Sequence, residues 1–232
     1  MSNFETAGDT HTGQVRENNE DSFVICNSSV VLAAVADGIG GHVHGEVASK
    51  MCCTELAEKF WQSGMDDSWN PERAAEVLRC WTEEVNSSIF RRNREEMNLL
   101  PMGTTLCAAI FFPDFIVSAN AGDSRLYALE DKKIKALTRD HVVCHNGGQY
   151  LSRAVGVAVR ANAEVKIISG NSADKFVVVS DGVYNSMTEN DIALILNNSS
   201  DAVGAVKNII SRANLCGGVD NLTAAVIFRR NK

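Results

Sequence analysis

Apolar positions along this chain repeat with two periods, one of strands and one of helices, and the alternation between them outlines the fold. Residues 22–26 (Ser-Phe-Val-Ile-Cys) and the unbroken apolar run Val30 to Ala36 read as two strands joined by an Asn-Ser-Ser turn, which predicts a hairpin. Between Gly45 and Trp61, Cys52, Cys53, Leu56, Ala57 and Phe60 recur at helical spacing; a second stripe of Ala74, Val77, Leu78, Trp81, Val85 and Ile89 follows Pro71. Two long amphipathic helices are expected there, with their Met and Trp side chains in the core. Strand patterns at 104–112, 115–121, 126–130 and 133–137 are broken by Pro113-Asp114 and Glu130-Asp131-Lys132, which predicts a meander of antiparallel hairpins. Residues 140–156 read as a loop. Strands at 163–168 and 176–180, helices at about 189–196 and 201–216, and a strand at 222–228 complete the chain. Hairpins together with paired helices predict an α+β fold in which helices cover antiparallel sheets. No 20–50-residue repeat is present, which excludes a solenoid.

Two of the apolar runs end on the same dipeptide, Asp37-Gly38 and Asp181-Gly182. Taken singly, Asp-Gly is the commonest two-residue hairpin turn. A hairpin needs a second strand directly afterwards, and neither position supplies one: Asp37 leads into a glycine-rich stretch and a helical pattern, and Asp181 leads to Ser186 or Thr188 as an N-cap with Glu189 and Asp191 in the first turn. The alternative is a buried strand that carries a carboxylate to its end. Glycine then lets the backbone approach a ligand, so that a carboxylate oxygen and a main-chain carbonyl meet one hard cation. Asp123, in Gly122-Asp123-Ser124-Arg125, and Asp220, in Asp220-Asn221, flank apolar runs in the same way. Four such carboxylates suggest one cluster.

The chain has 232 residues, 45% of them hydrophobic and only 3 of them proline, which suits a single domain over 1–232 with a full core. Its formal charge is −7, and its basic run Arg91-Arg92-Asn93-Arg94 meets Glu95-Glu96 at once, so nucleic acid is not an expected partner. The N-terminus has no apolar signal region and no run approaches the ~18 apolar residues of a membrane helix, so no membrane association is expected. The 7 cysteines are odd in number and scattered, with Cys26, Cys80, Cys107 and Cys144 in or beside apolar stretches. Free, mostly buried thiols in a reducing cytoplasm are the expectation.

The strings Gly13-Gln14-Val15-Arg16-Glu17-Asn18-Asn19-Glu20-Asp21-Ser22, Ala36-Asp37-Gly38-Ile39-Gly40-Gly41-His42 with Gly45-Glu46, Gly103-Thr104-Thr105, Gly122-Asp123-Ser124-Arg125, Ser180-Asp181-Gly182 and Gly218-Val219-Asp220-Asn221-Leu222-Thr223 stand in order. Together they resemble the PP2C (PPM) metal-dependent Ser/Thr phosphatase family in its bacterial form, over about residues 4–228. The resemblance implies a four-layer α-β-β-α sandwich. It implies two Mn²⁺ or Mg²⁺ ions bridged by Asp37, with the Gly38 carbonyl on one and Asp181 and Asp220 on the other, and a third, weaker ion on Asp123 and Asp181. Glu20 and Asp21 would hold metal-bound waters or stand behind the ligands, and Asn221 would brace Asp220 or a water, or be a simple turn residue. Arg16 would clamp the phosphate, where a guanidinium fork fits. All-oxygen ligands select Mg²⁺ or Mn²⁺ over zinc. The implied reaction is direct hydrolysis of phosphoSer or phosphoThr by a metal-bridging hydroxide without a phosphoenzyme, on protein substrates of a Ser/Thr kinase. A non-catalytic phosphoprotein-binding module on the same fold is the alternative; loss of a metal carboxylate would mark it, and none is lost.

Competing chemistries fail on spacing. No cysteine has Arg six residues later, as a cysteine phosphatase requires, and the glycines after Asp37 lack the Lys-Ser/Thr of a P-loop. His42-x-His44 could hint at zinc, but the segment is glycine-rich and opens a helix, so His42 is expected to shape the loop instead. Ile39 stands where eukaryotic relatives often carry a histidine, so general-acid catalysis is not carried over. Bacterial relatives usually have a longer flap between Asp140-His141 and the segment at 151–156; only 142–150 remains here, which predicts a more open site with weaker reading of local peptide sequence.

Overall fold

Packing on both faces explains the longest apolar run. In strand β3 (Val31–Ile39), Leu32, Ala34 and Ala36 enter one hydrophobic cluster while Val31, Ala33 and Val35 enter another, and all six are fully buried. A strand covered on both sides has no polar face to alternate with. The computed structural model describes residues 3–39, 44–95, 101–169 and 173–230. The expected role of His42 falls outside the described residues.

One antiparallel sheet holds β2 (Asp21–Asn27), β3, β5 (Leu106–Phe111), β6 (Phe115–Ala121) and β11 (Glu164–Ser169), in the order β11-β6-β5-β3-β2, with β4 (Gly103–Thr104) paired to the end of β3. The other orders β1 (Phe4–His11), β13 (Leu222–Arg229), β12 (Lys175–Val179), β7 (Arg125–Glu130) and β8 (Lys133–Ala136) as β1-β13-β12-β7-β8, again antiparallel. The inner faces meet over Phe4, Phe111 and Phe176, with ring centroids 6.2 Å apart for the first pair and 5.2 Å for the second. Phe176 is fully buried, a position where truncation to alanine costs about 3–5 kcal/mol. Helices α1 (Gly45–Ser63) and α2 (Pro71–Glu95) cover the outer face of the first sheet. Helices α3 (Asp181–Ser186), α4 (Glu189–Asn198) and α5 (Ala202–Leu215) cover the second. These are the four layers α-β-β-α.

Local chemistry sets the helix starts. Pro71 opens α2 behind Asn70, whose Oδ1 accepts from the Arg73 N–H at 2.8 Å. A reciprocal capping box of Thr188 and Asp191 opens α4, so Thr188 and not Ser186 is the cap.

Several expectations need correction. β1 escaped notice because it is a one-sided edge strand in which Phe4 alone is fully buried, so its polar residues hide the period. α3 follows β12 after a single residue, Ser180, and at six residues is too short to show a helical period. The expected loop contains a hairpin, β9 (Val142–His145) and β10 (Gly148–Leu151), turning on Asn146 and Gly147 in left-handed conformations. β3 runs through Asp37-Gly38 to Ile39 instead of ending there. Trp61 lies on the solvent side of α1, 57% exposed, with its ring edge-on to Phe60. All seven thiols are free, but Cys80 and Cys144 are exposed, with Cys216, while Cys26, Cys52, Cys53 and Cys107 are buried.

Candidate active site

The acidic residues come from both sheets and meet where the strand ends of the sandwich converge. Asp37 on β3 stands directly opposite Asp21 on β2 in the strand register. Asp181 is the first residue of α3, immediately past β12, and Asp220 precedes β13; because β12 and β13 are neighbours, these two carboxylates approach each other. Asp123 sits in the bend between β6 and β7. Asp37, Asp123, Asp181 and Asp220 line one cavity of about 240 Å³ with Arg16, Glu20, Gly38 and Asn221. Asp21 alone of the expected set is not on its wall but buried behind it, 7% exposed.

Hydrogen bonds lock the frame. The Asp37 N–H donates to Thr105 Oγ1 at 3.0 Å, and its carbonyl accepts from the Thr105 N–H at 2.8 Å and from Thr104 Oγ1 at 2.9 Å. Ser180 Oγ donates to Asp21 Oδ2 at 2.7 Å and accepts from the Thr223 N–H at 3.1 Å, tying β2 to the strands of the other sheet. Asn221 does more than the turn role left open for it. Its Oδ1 accepts from the Glu20 N–H at 2.8 Å, and its Nδ2 donates to the carbonyls of Thr12 and Asn18, both at 2.9 Å. The loop that carries Arg16 is therefore pinned to the start of β13.

Close packing explains the two Asp-Gly pairs. A Cβ on Gly38 would lie 2.3 Å from the Gly45 carbonyl oxygen and 2.7 Å from that of Glu20; one on Gly182 would lie 2.0 Å from that of Asn221. Each glycine admits the backbone of another segment of the site against its own strand or helix end.

Around Asp123 the sequence concealed a second network. Arg125 holds Asp140 with two bonds, Nε to Oδ1 at 2.9 Å and Nη2 to Oδ2 at 2.7 Å, while Nη1 donates to the Tyr127 hydroxyl at 2.9 Å. The guanidinium lies 3.7 Å from the Tyr184 ring centroid, and the Tyr184 hydroxyl donates to the Asp123 carbonyl at 3.1 Å. Asp123-Ser124-Arg125 marks the bend in sequence, but nothing marks Tyr184 or Asp140 as its supports.

Burial and mutual charge act on the carboxylates together. Burial, then the charges of Asp21, Asp181 and Asp123, push the Asp37 pKa well above the usual carboxylate range. Asp181 is raised by burial and by Asp220; Asp123 is pushed up to about 6 by burial and by Asp181. Burial pushes Asp21 up to about 6 against its bond from Ser180, and its Oδ1 is buried without a partner. Glu20 is raised by burial and by Glu46. Carboxylates that disfavour one another's ionisation, all presenting oxygen, are the donor set that divalent cations relieve. Among the described residues no group of three or more His, Cys, Asp or Glu side chains is placed to hold a metal ion. His44, capping α1 4.0 Å from Glu46, joins no such group. Arg16 meets the cluster differently from the expectation: its Nη2 donates to Asp220 Oδ2 at 2.8 Å, with the guanidinium more than half exposed.

Residues 7–216 match the family model for protein phosphatase 2C. The chain belongs to the protein phosphatase 2C family. It is 32% identical over 247 residues to the serine/threonine phosphatase stp of Listeria monocytogenes serotype 4b, covering 95% of this chain and 94% of that one. To the protein phosphatase PhpP of Streptococcus pneumoniae it is 25% identical over 236 residues, with 94% of each covered. Among solved structures, serine/threonine phosphatase Stp1 from Staphylococcus aureus superposes with a TM-score of 0.89 at 26% identity, covering 98% of this chain and 96% of that one. The Mycobacterium tuberculosis phosphatase PstP/Ppp gives 0.85 at 26% identity, covering 98% and 99%. Protein phosphatase 2C enzymes are generally metal-dependent, in line with the donor chemistry of this cavity, and no helix of the described chain is long and apolar enough to cross a membrane.

Proposed function

We propose that the chain hydrolyses phosphoserine and phosphothreonine in proteins, at the acidic cavity and with two divalent cations, Mn²⁺ or Mg²⁺. The observation that carries this reading is the meeting of Asp37, Asp123, Asp181 and Asp220, from four separate stretches of chain, in one cavity with an arginine at its rim. Bound there, the ions would supply an acidified water as nucleophile, so that no phosphoenzyme would be needed.

The chain's own residues supply the rest. Asp37, held on both sides of its backbone by Thr104 and Thr105, would be the carboxylate that serves both ions. The Gly38 carbonyl would hold one ion and Asp181 and Asp220 the other, and Asp123 and Asp181 would hold a third, weaker one. Glu20, on the cavity wall, would accept from waters around the ions, and Asp21, buried behind that wall, would stand behind the ligands. With a cation on Asp220, Arg16 would be free to leave that carboxylate and offer its fork to the phosphate oxygens. Its exposure leaves the side chain room to move. Asn221 keeps the Arg16 loop and Glu20 in register. Relatives named as serine/threonine phosphatases support phosphoprotein substrates, and substrates of a Ser/Thr kinase met in the cytoplasm are part of the same proposal. No specific observation favours the non-catalytic binding module.

Hydrolysis of a phosphothreonine peptide tests this, with Mn²⁺, with EDTA, and with Asp37→Ala. Turnover should need the metal and should fall at least a thousand-fold in the variant, about the 4 kcal/mol that loss of a shared ligand charge takes from the transition state. A wild-type protein without metal-dependent turnover refutes the reading.

A further inference from the structure

A second cavity, of about 190 Å³, adjoins the acidic one, and the two share Ile39 and Leu151 as a common wall. Ser152, Arg153, Val157 and Arg160 line it further, and no aspartate or glutamate does. Arg160 is exposed and has neither a hydrogen bond nor an ion pair among the described residues. Arg153 spends one N–H on the Asn162 carbonyl, Nη1 to O at 3.0 Å, and has no carboxylate partner there.

The segment that carries both arginines contains little regular structure, yet α2 holds it firmly. Asn86 accepts from the Gly156 N–H at 2.8 Å and donates to the carbonyls of Ala158 and Val159 at 3.0 and 3.2 Å. Asn93 Nδ2 donates to the Gly156 carbonyl at 3.0 Å. The Glu83 carboxylate accepts from the N–H groups of Ala161 and Asn162 at 3.2 and 3.1 Å, so its oxygens are spent behind the loop. A cleft positioned in advance loses little entropy when it is filled. On a chain of net charge −7, two guanidinium groups without counter-ions beside a phosphate-handling cavity are matched to an anion.

We infer that this cleft is a specificity subsite that takes an anionic side chain, a carboxylate or a second phosphate group, two to four residues from the phosphorylated residue being hydrolysed. That separation spans about 7–14 Å of extended peptide, the reach of one cavity into its neighbour. The inference rests on the phosphatase reading above. It adds to the expectation that a short flap reads local sequence only weakly, because the discriminating charges sit on the 152–160 segment and not on the flap hairpin.

The test measures kcat/KM for phosphothreonine peptides bearing one Glu, phosphoserine, Lys or Ala at each position from −4 to +4, and for a small aryl phosphate, with wild type, Arg160→Gln and Arg160→Glu. At one position wild type should favour Glu over Ala about two- to five-fold, the size of one exposed ion pair, and should disfavour Lys. Arg160→Gln should flatten that preference and Arg160→Glu invert it, with aryl phosphate turnover and melting temperature unchanged. A gain from phosphoserine alone marks doubly phosphorylated segments as the source, and a gain from both marks acidic ones. A preference for Glu that survives Arg160→Glu, or no preference at any position, overturns the inference. Failure of wild type to hydrolyse the aryl phosphate with Mn²⁺ would strike the phosphatase reading instead.

Discussion

Replacing Asn221 with alanine isolates the joint between the phosphate-side loop and the metal-side strands. The residue is 6% exposed and its amide makes three bonds, from the Glu20 N–H and to the carbonyls of Thr12 and Asn18. At about 0.5–1.5 kcal/mol for each net hydrogen bond the loss sums to about 3 kcal/mol. For a chain of this length that lowers the melting temperature by about 6–12 °C. Catalysis should suffer in a particular way. Asp37 and Asp181 keep their own supports in Thr105 and β12, whereas Arg16 loses its register, so KM for an aryl phosphate should rise about ten-fold while kcat changes less. In an Arg16→Ala background the same Asn221→Ala change should leave KM alone, because residues that act through one another are not additive. Thermal melts and steady-state kinetics on the two single variants and the double variant decide it. A melting temperature within 2 °C of wild type, or additive effects on KM, would refute the reasoning.

Two further outcomes follow from the site. Gly38→Ala forces a Cβ against two backbone carbonyls that cannot turn aside, which costs about 1–3 kcal/mol in thermal melts and raises the Mn²⁺ concentration for half-maximal turnover. Metal-free protein should lose stability as pH rises: the buried Asp21 titrates near 6 in the folded chain against 3.8 unfolded, so the native state holds the extra proton between these values. Its contribution is present below about pH 4 and is lost as pH passes about 6, on the order of 3 kcal/mol. Melts at pH 4.5 and 7.5 should show about two-thirds of that fall without metal and a smaller one with Mn²⁺; a rise with pH in EDTA would contradict it.

The layers of the fold were legible because the inner strands are buried on both faces and so write themselves as unbroken apolar runs, and because α2 and α5 keep a helical stripe. Elements with one wet face or too few residues were not legible. β1 buries Phe4 alone among mixed neighbours, and α3 ends before one helical stripe can repeat. The flap hairpin is mostly exposed, and its only early trace is Asn146-Gly147, a turn signal that reads equally as loop.

In the site, the residues with charge were visible; of those that hold them, Asn221 was expected as a brace, while Thr105, Ser180 and Thr223 stood in the motif strings without a role. An aspartate after an apolar run announces itself, since burying a carboxylate is costly without a cation or donors to meet it. Ser180, Thr105 and Thr223 look like any strand residue, yet their hydroxyl and backbone bonds fix Asp21 and Asp37 across the two sheets. Asn221 shows why contact order matters here: its partners Thr12, Asn18 and Glu20 lie about two hundred residues earlier in the chain, so no local pattern contains them. The glycine of each Asp-Gly pair belongs to the same class. It was read as making room for a ligand, and its nearer reason is to make room for a distant stretch of backbone that brings Glu20 or Asn221 to the cavity. A cluster assembled this way places its acidic groups only when both sheets are docked, so metal affinity and docking of the sheets are one equilibrium measured from two ends.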